Sequence, residues 1–170
     1  MSIAKDVFLE NKRDIDTLWE IHTSYAGSGV GKKDPKVEVL NRAAIIFITA
    51  CWETYIEDIA KESFEFLIAN CGEPMNIPPK VRNYATKKFF DQQDSSKVWD
   101  LAGNGWQAVL QTHQTDTLER WLGNFNTPKT DQVNNLFKEL LGITKISDCW
   151  YWQKMNYIQS TEKLDAFITK

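Results

Sequence analysis

The sequence predicts an all-α fold, a single helical domain over residues 1–170 with a long central helix, and three observations predict it. Apolar residues recur at steps of three and four along most of the chain. Helix start and stop signals fall where those patterns begin and end. No stretch alternates apolar and polar residues long enough to compete as a strand.

The first helix covers about 3–25, with Val7, Ile15, Leu18, His22 and Tyr25 on one face. AGSGVGKKDP follows as a loop by its Gly and Pro content. A long helix then runs over about 36–70. Its first half, LNRAAIIFITACWETY, is apolar almost all round and is expected at the centre of the fold. Its second half, IEDIAKESFEFLI, is amphipathic and expected to be more exposed. NCGEPMNIPP breaks the helix, and Pro79 opens the next one over KVRNYATKKFF. Two short helices are predicted around Gly103-Asn104-Gly105, and a capping box at Asp116 and Glu119 predicts another helix start. Thr127-Pro128 begins a helix in which Val133, Leu136, Phe137, Leu140 and Leu141 form one apolar stripe, closed by Gly142. The stretch ITKISDCWYWQKMNY reads as irregular. In STEKLDAFITK a last helix starts at Ser160 or Thr161 and carries Leu164, Phe167 and Ile168, with no closing signal.

Composition excludes several function classes. A formal net charge of −3 argues against a broad basic footprint, so nucleic-acid contact would need a local patch or a cleft made by assembly. Cys51, Cys71 and Cys149 are odd in number and far apart, which suggests neither a zinc site nor a disulfide framework. Cys51 reads as a small core residue. The N-terminus, MSIAKDVFLENKRD, lacks a cleavable signal, and the apolar run 43–52 is too short to cross a bilayer. The expected setting is the cytoplasm, without a membrane.

Candidate chemistry is sparse. GSGVGKK misses the phosphate-loop spacing by one residue, and Lys33 stands where a Ser or Thr would hold magnesium. His22 on an apolar face reads as a hydrogen-bonded core residue, and His113 in QTHQTD as a surface one. Two distant histidines provide no metal spacing, so neither a metal nor another cofactor is expected. No serine or cysteine carries the local context of an activated nucleophile. Catalytic residues are therefore unassigned.

Two helix faces are binding candidates. Arg42, Thr49 and Glu53 fall on one stripe of the long helix, at a subunit interface or cleft or at the rims of the core. Lys80, Tyr84, Lys87 and Lys88, with Arg82 nearby, make a small basic face with an aromatic in it. Such a face can hold a phosphate backbone and stack a base, or stand solvated.

VLNRAAIIFITACWETYIEDIAKE and NFNTPKTDQVNNLFKELLGITKISDCW, in that order and separation, resemble the RiboL-PSP group of the HEPN superfamily, over about 39–170. The resemblance implies a helical bundle that pairs as a homodimer. It also implies metal-independent endoribonuclease activity in bacterial toxin–antitoxin and phage defence systems, with an antitoxin or other protein as a possible partner. The signature of such enzymes is Arg, four to six residues, then His. Histidine can move the proton of a ribose 2′-hydroxyl while arginine holds the phosphate as charge builds up. Arg13, Arg42, Arg82 and Arg120 have no histidine at that distance, so no catalytic residue carries over. The expectation is a HEPN domain shortened before its reactive pair, inactive by itself. The rival expectation is a non-enzymatic helical module that binds a protein through aromatics near WYWQKMNY, or RNA through the Lys80–Lys88 face.

Overall fold

The computed structural model describes residues 2–26, 35–91, 95–122, 128–151 and 154–169. Among the described residues there are six α-helices: α1 Ile3–Ala26, α2 Pro35–Asn70, α3 Pro79–Asp91, α4 Gly105–Leu122, α5 Thr130–Leu141 and α6 Tyr157–Ile168. Short 3₁₀ segments at Pro74–Asn76, Ser95–Leu101 and Ile146–Cys149 join some of them. No strand occurs among the described residues. The loop GSGVGKK and Thr127 lie outside those residues.

The chain forms two compact units, Met1–Ile59 and Ala60–Lys170, and α2 contributes to both. The first unit is a helical hairpin. Phe8 of α1 meets Tyr55 of α2 with ring centroids 4.6 Å apart, and Asp14 lies near Cys51, so the helices run antiparallel. The α1 face turned inward is Ala4, Phe8, Asn11, Ile15, Leu18 and His22. Val7 and Tyr25, expected on that face, are exposed, because the stripe is centred one residue away from them. Cys51 is buried as predicted, and burial raises its thiol pKa, with Asp14 adding to the effect.

In the second unit α5 touches α3, α4 and α6. Val133, Leu136, Phe137 and Leu140 form its buried stripe, as the spacing predicts. Phe64, Ile77, Val81, Ala85, Val109 and Leu110 complete that core with Leu164 of α6. Gly142 closes α5 in the left-handed region at φ 75°, where an L side chain is strained. A Cβ there would also stand 3.1 Å from the Pro78 Cβ, so glycine lets the end of α5 approach the start of α3.

Side-chain hydrogen bonds fasten the C-terminal segment to α5. Asp165 Oδ1 accepts from the Thr130 N–H at 2.9 Å and from its hydroxyl at 2.8 Å. Asn134 donates to Ser147 Oγ at 3.0 Å and accepts from the Ser147 N–H at 3.1 Å.

Three helix starts differ from expectation, the first being α5, which begins at Thr130 after an extended Lys129 rather than at Thr127-Pro128. α4 runs through Asp116 without a break, so Asp116-x-x-Glu119 is not a capping box. α6 begins at Tyr157 rather than near Ser160, because Asn156 and Gln159 form the reciprocal box instead, at 3.0 and 3.1 Å. Ser160 is buried inside the helix with its hydroxyl donating back to the Asn156 carbonyl. In α6, Leu164 is buried while Phe167 stays 44% exposed.

Candidate functional site

The largest departure from the sequence reading concerns α2. Its apolar first half is not enclosed: Val39 is 64% and Ile46 68% exposed, with Ile45 and Ile48 also at the surface. Its charged second half holds the buried residues Ile56, Ala60 and Phe64. A hairpin of two helices covers only one face of each, so an all-apolar segment keeps its other faces in solvent. By length and composition alone, α2 over Val37–Asn70 could also cross a membrane, because the helix extends well past the apolar run 43–52.

The predicted stripe lies on this exposed segment. Arg42 is exposed and paired with Glu38 one turn earlier. Thr49 is half-buried, its hydroxyl donating to the carbonyls of Ile45 at 3.0 Å and Ile46 at 2.8 Å. Glu53 is half-buried and stands one turn before Glu57. Arg42 and Thr49 therefore have partners within their own helix and stay available at its surface.

Glu57 is the most perturbed carboxyl described. Burial, then the neighbouring charges of Glu53 and Asp58, push its pKa from 4.5 up to about 7. Its proton is held more tightly in the fold than in the unfolded chain. The resulting stability is complete below pH 4.5 and is lost as pH rises through about 7. Because the side chain is partly solvated, the effect is discounted to about 1 kcal/mol. Glu57→Gln is expected to raise the melting temperature by about 3 °C at pH 8. The gain should vanish near pH 5, as thermal melts at the two pH values would record.

The basic face belongs to the second unit. Lys80 and Lys87 are exposed and Tyr84 half-buried along one side of α3, as the spacing predicts. Lys80 Nζ donates to Thr144 Oγ1 at 2.7 Å. Lys88 lies on α3, its side chain outside the described ones. Arg82 points elsewhere: Nη1 lies 3.0 Å from Met75 Sδ, and Nε is buried without a hydrogen-bond partner.

Both histidines depart from expectation. His22 stacks on Trp19 with centroids 5.2 Å apart, and its Nδ1 is buried without a hydrogen bond. His113 is not a surface residue. Its Nε2 donates to the Glu139 carbonyl at 3.1 Å, and Nδ1 lies 3.5 Å from Thr117 Oγ1. The Phe64 ring lies edge-on to it. Burial lowers its pKa, against the opposing pull of the Glu139 carbonyl and carboxylate. The Glu139 carboxylate accepts from Arg120 at 2.5 Å and from Trp121 Nε1 at 3.3 Å. This polar cluster joins α4 to α5. Sequence reasoning missed it because a break assumed at Asp116 hid the shared face of His113, Thr117 and Arg120. The order His then Arg is the reverse of the ribonuclease signature, and both ring nitrogens of His113 face groups of its own unit. No group of three or more metal-ligating side chains occurs among the described residues.

Among the described residues the chain is helical throughout, with a long second helix and a fifth helix closed by glycine. The sequence model described as RiboL-PSP-HEPN matches residues 9–170, and the chain belongs to that family. No curated protein and no solved structure matches it.

Proposed function

We propose that this chain is the helical scaffold of a cytoplasmic prokaryotic toxin or phage-defence protein whose RNA-cutting form is a metal-independent endoribonuclease. The observation that carries the reading is membership of the RiboL-PSP-HEPN family over residues 9–170. In the cutting form an Arg-x4–6-His pair acts on RNA. The histidine takes the ribose 2′-hydroxyl proton as that oxygen attacks the adjacent phosphorus. The bond from phosphorus to the 5′-oxygen of the next nucleotide breaks, that oxygen leaves as a hydroxyl after taking up a proton, and the arginine neutralises the phosphate oxygens. The 170 residues contain no such pair, so by themselves they do not cleave RNA. Two copies pair so that their reactive segments face each other, and an antitoxin or other protein is a fitting further partner. The exposed Lys80 and Lys87 side of α3 supports a path for the RNA backbone. Lys80→Ala with Lys87→Ala is expected to lower the salt slope of RNA binding by about two, read by fluorescence anisotropy across salt concentrations.

The test is to incubate a form carrying the Arg-x4–6-His pair with total RNA and excess chelator, and to examine the product ends. Fragments ending in 2′,3′-cyclic phosphate support the reading. Intact RNA, or cleavage that requires added magnesium, overturns the mechanism. A second reading, a non-enzymatic interaction module, is favoured by the exposed Tyr151 in the WYWQKMNY stretch. It predicts intact RNA under every condition.

A further inference from the structure

Six residues of α2 recur at alternating steps of four and three: Val39, Ala43, Ile46, Ala50, Glu53 and Glu57. That spacing is the signature of a seam between two packed helices. A second stripe on the same helix, Val37, Leu40, Ala44, Phe47 and Cys51, follows the same rule and is turned inward in the hairpin. The first seam is open. Its four leading residues are apolar and exposed, and valine and isoleucine alternate with alanine. Large and small residues in alternation allow helix axes to approach to about 8 Å, each large side chain filling the space opposite a small one.

The charges on this segment indicate what covers it. Arg42 borders the seam near its start, and Glu53 stands near its end, with the midpoint close to Phe47. A copy packed parallel would set Arg42 beside Arg42 and the Glu53–Glu57 pair beside its twin. A copy packed antiparallel sets Arg42 against Glu53 twice, once at each end, with Ile46 against Ala50 at the centre. The Arg42–Glu53 arrangement is complementary to itself under a two-fold rotation, which is the requirement of an isologous interface. Glu38 comes level with Glu57 of the other copy, and the raised pKa of Glu57 lessens the repulsion.

We propose that a second copy of this chain packs antiparallel on the Val39–Glu57 seam of α2, with Arg42 of each protomer facing Glu53 of the other. This rests on the homodimer reading above and assigns the surface that forms it. Arg42 keeps its Glu38 partner, since a guanidinium carries five donors. Glu53 is engaged within its own chain and retains acceptor capacity, since a carboxylate has about four lone-pair sites. Polar residues at the ends of the seam fix its register.

Sedimentation equilibrium on the chain and four variants tests the proposal, with far-UV circular dichroism confirming unchanged helicity. The wild-type chain is expected at twice the monomer mass. Arg42→Glu and Glu53→Arg are each expected to weaken the dimer about tenfold or more, because each places like charges together. The double variant Arg42→Glu/Glu53→Arg restores the opposite-charge pairs and should recover to within about threefold of wild type. Ile46→Asp, at an exposed site that does not threaten folding, should give a monomer. A dimer indifferent to all four variants overturns the seam and leaves the homodimer standing on another surface. A wild-type monomer at about 100 µM overturns both, since specific self-association is expected at micromolar levels or below. A wild-type monomer that also co-sediments with phosphatidylglycerol vesicles overturns both and identifies a bilayer as the cover.

Discussion

Replacing Phe64 by alanine is expected to cost about 3–5 kcal/mol and to lower the melting temperature by about 10 °C. Phe64 is 0% exposed, and its ring meets the edge of His113 at 6.2 Å. With Ala60 it is one of the two fully buried residues that α2 contributes to the second unit. Truncation removes the transfer energy of a whole ring and leaves a cavity beside the half-buried His113 imidazole. The loss is large against a total stability of about 5–15 kcal/mol, so soluble yield should fall as well. Urea unfolding followed by circular dichroism gives the midpoint and the slope. A shifted midpoint with an unchanged slope is the expected result. A cost below about 1 kcal/mol would mean that the ring is not enclosed.

The second large effect is expected at Asp165. One carboxylate oxygen accepts from both the N–H and the hydroxyl of Thr130, and Thr130 is 7% exposed. Asp165→Ala leaves two donors without that acceptor in a nearly dry site and removes a negative charge from the start of α5. The cost is about 2–3 kcal/mol, most of it the penalty of the unpaired donors. Asp165→Asn keeps a carbonyl acceptor and loses only the charge, so it should cost about half as much. Amide exchange in α6 should accelerate in the alanine variant before the rest of the second unit responds. Equal losses for alanine and asparagine would show that charge, not hydrogen bonding, holds α6 to α5.

Much of the helical layout was legible because it depends on local chemistry. Pro79 at a first helical position, Gly142 in the left-handed region and the five-residue stripe of α5 act over one or two turns. α5 accordingly closes where its spacing predicts. Competition between neighbouring caps was not legible. Asp116 and Glu119 satisfy a capping rule and lie inside α4, whereas Asn156 and Gln159 satisfy the same rule and start α6. Pattern alone does not rank them, since continued helix at one site and chain reversal at the other depend on what packs alongside.

Burial of α2 failed for a related reason. LNRAAIIFITACWETY is apolar all round, which shows that the segment resists water and not which neighbour covers it. α1 takes one face, where Val37 and Cys51 are buried, and the other buried residues of α2 sit in the more charged half at Ile56, Ala60 and Phe64. Of the stripe proposed from spacing, Arg42 and Thr49 found partners one turn away, at Glu38 and at the Ile45 and Ile46 carbonyls. The His113–Glu139 cluster depends on two helices meeting, and no periodicity in either helix encodes that.

Hydrogen exchange along α2 at two protein concentrations tests the division of this helix most directly. The account predicts slow, concentration-independent exchange around Ala60 and Phe64. Around Val39 to Ala50 it predicts protection that is strong at about 100 µM and falls markedly on dilution to about 1 µM, because a second chain supplies the cover there. Equal protection along the whole helix at both concentrations, in a chain that sediments as a monomer at both, would contradict it, and would show that the apolar half is enclosed within a single chain.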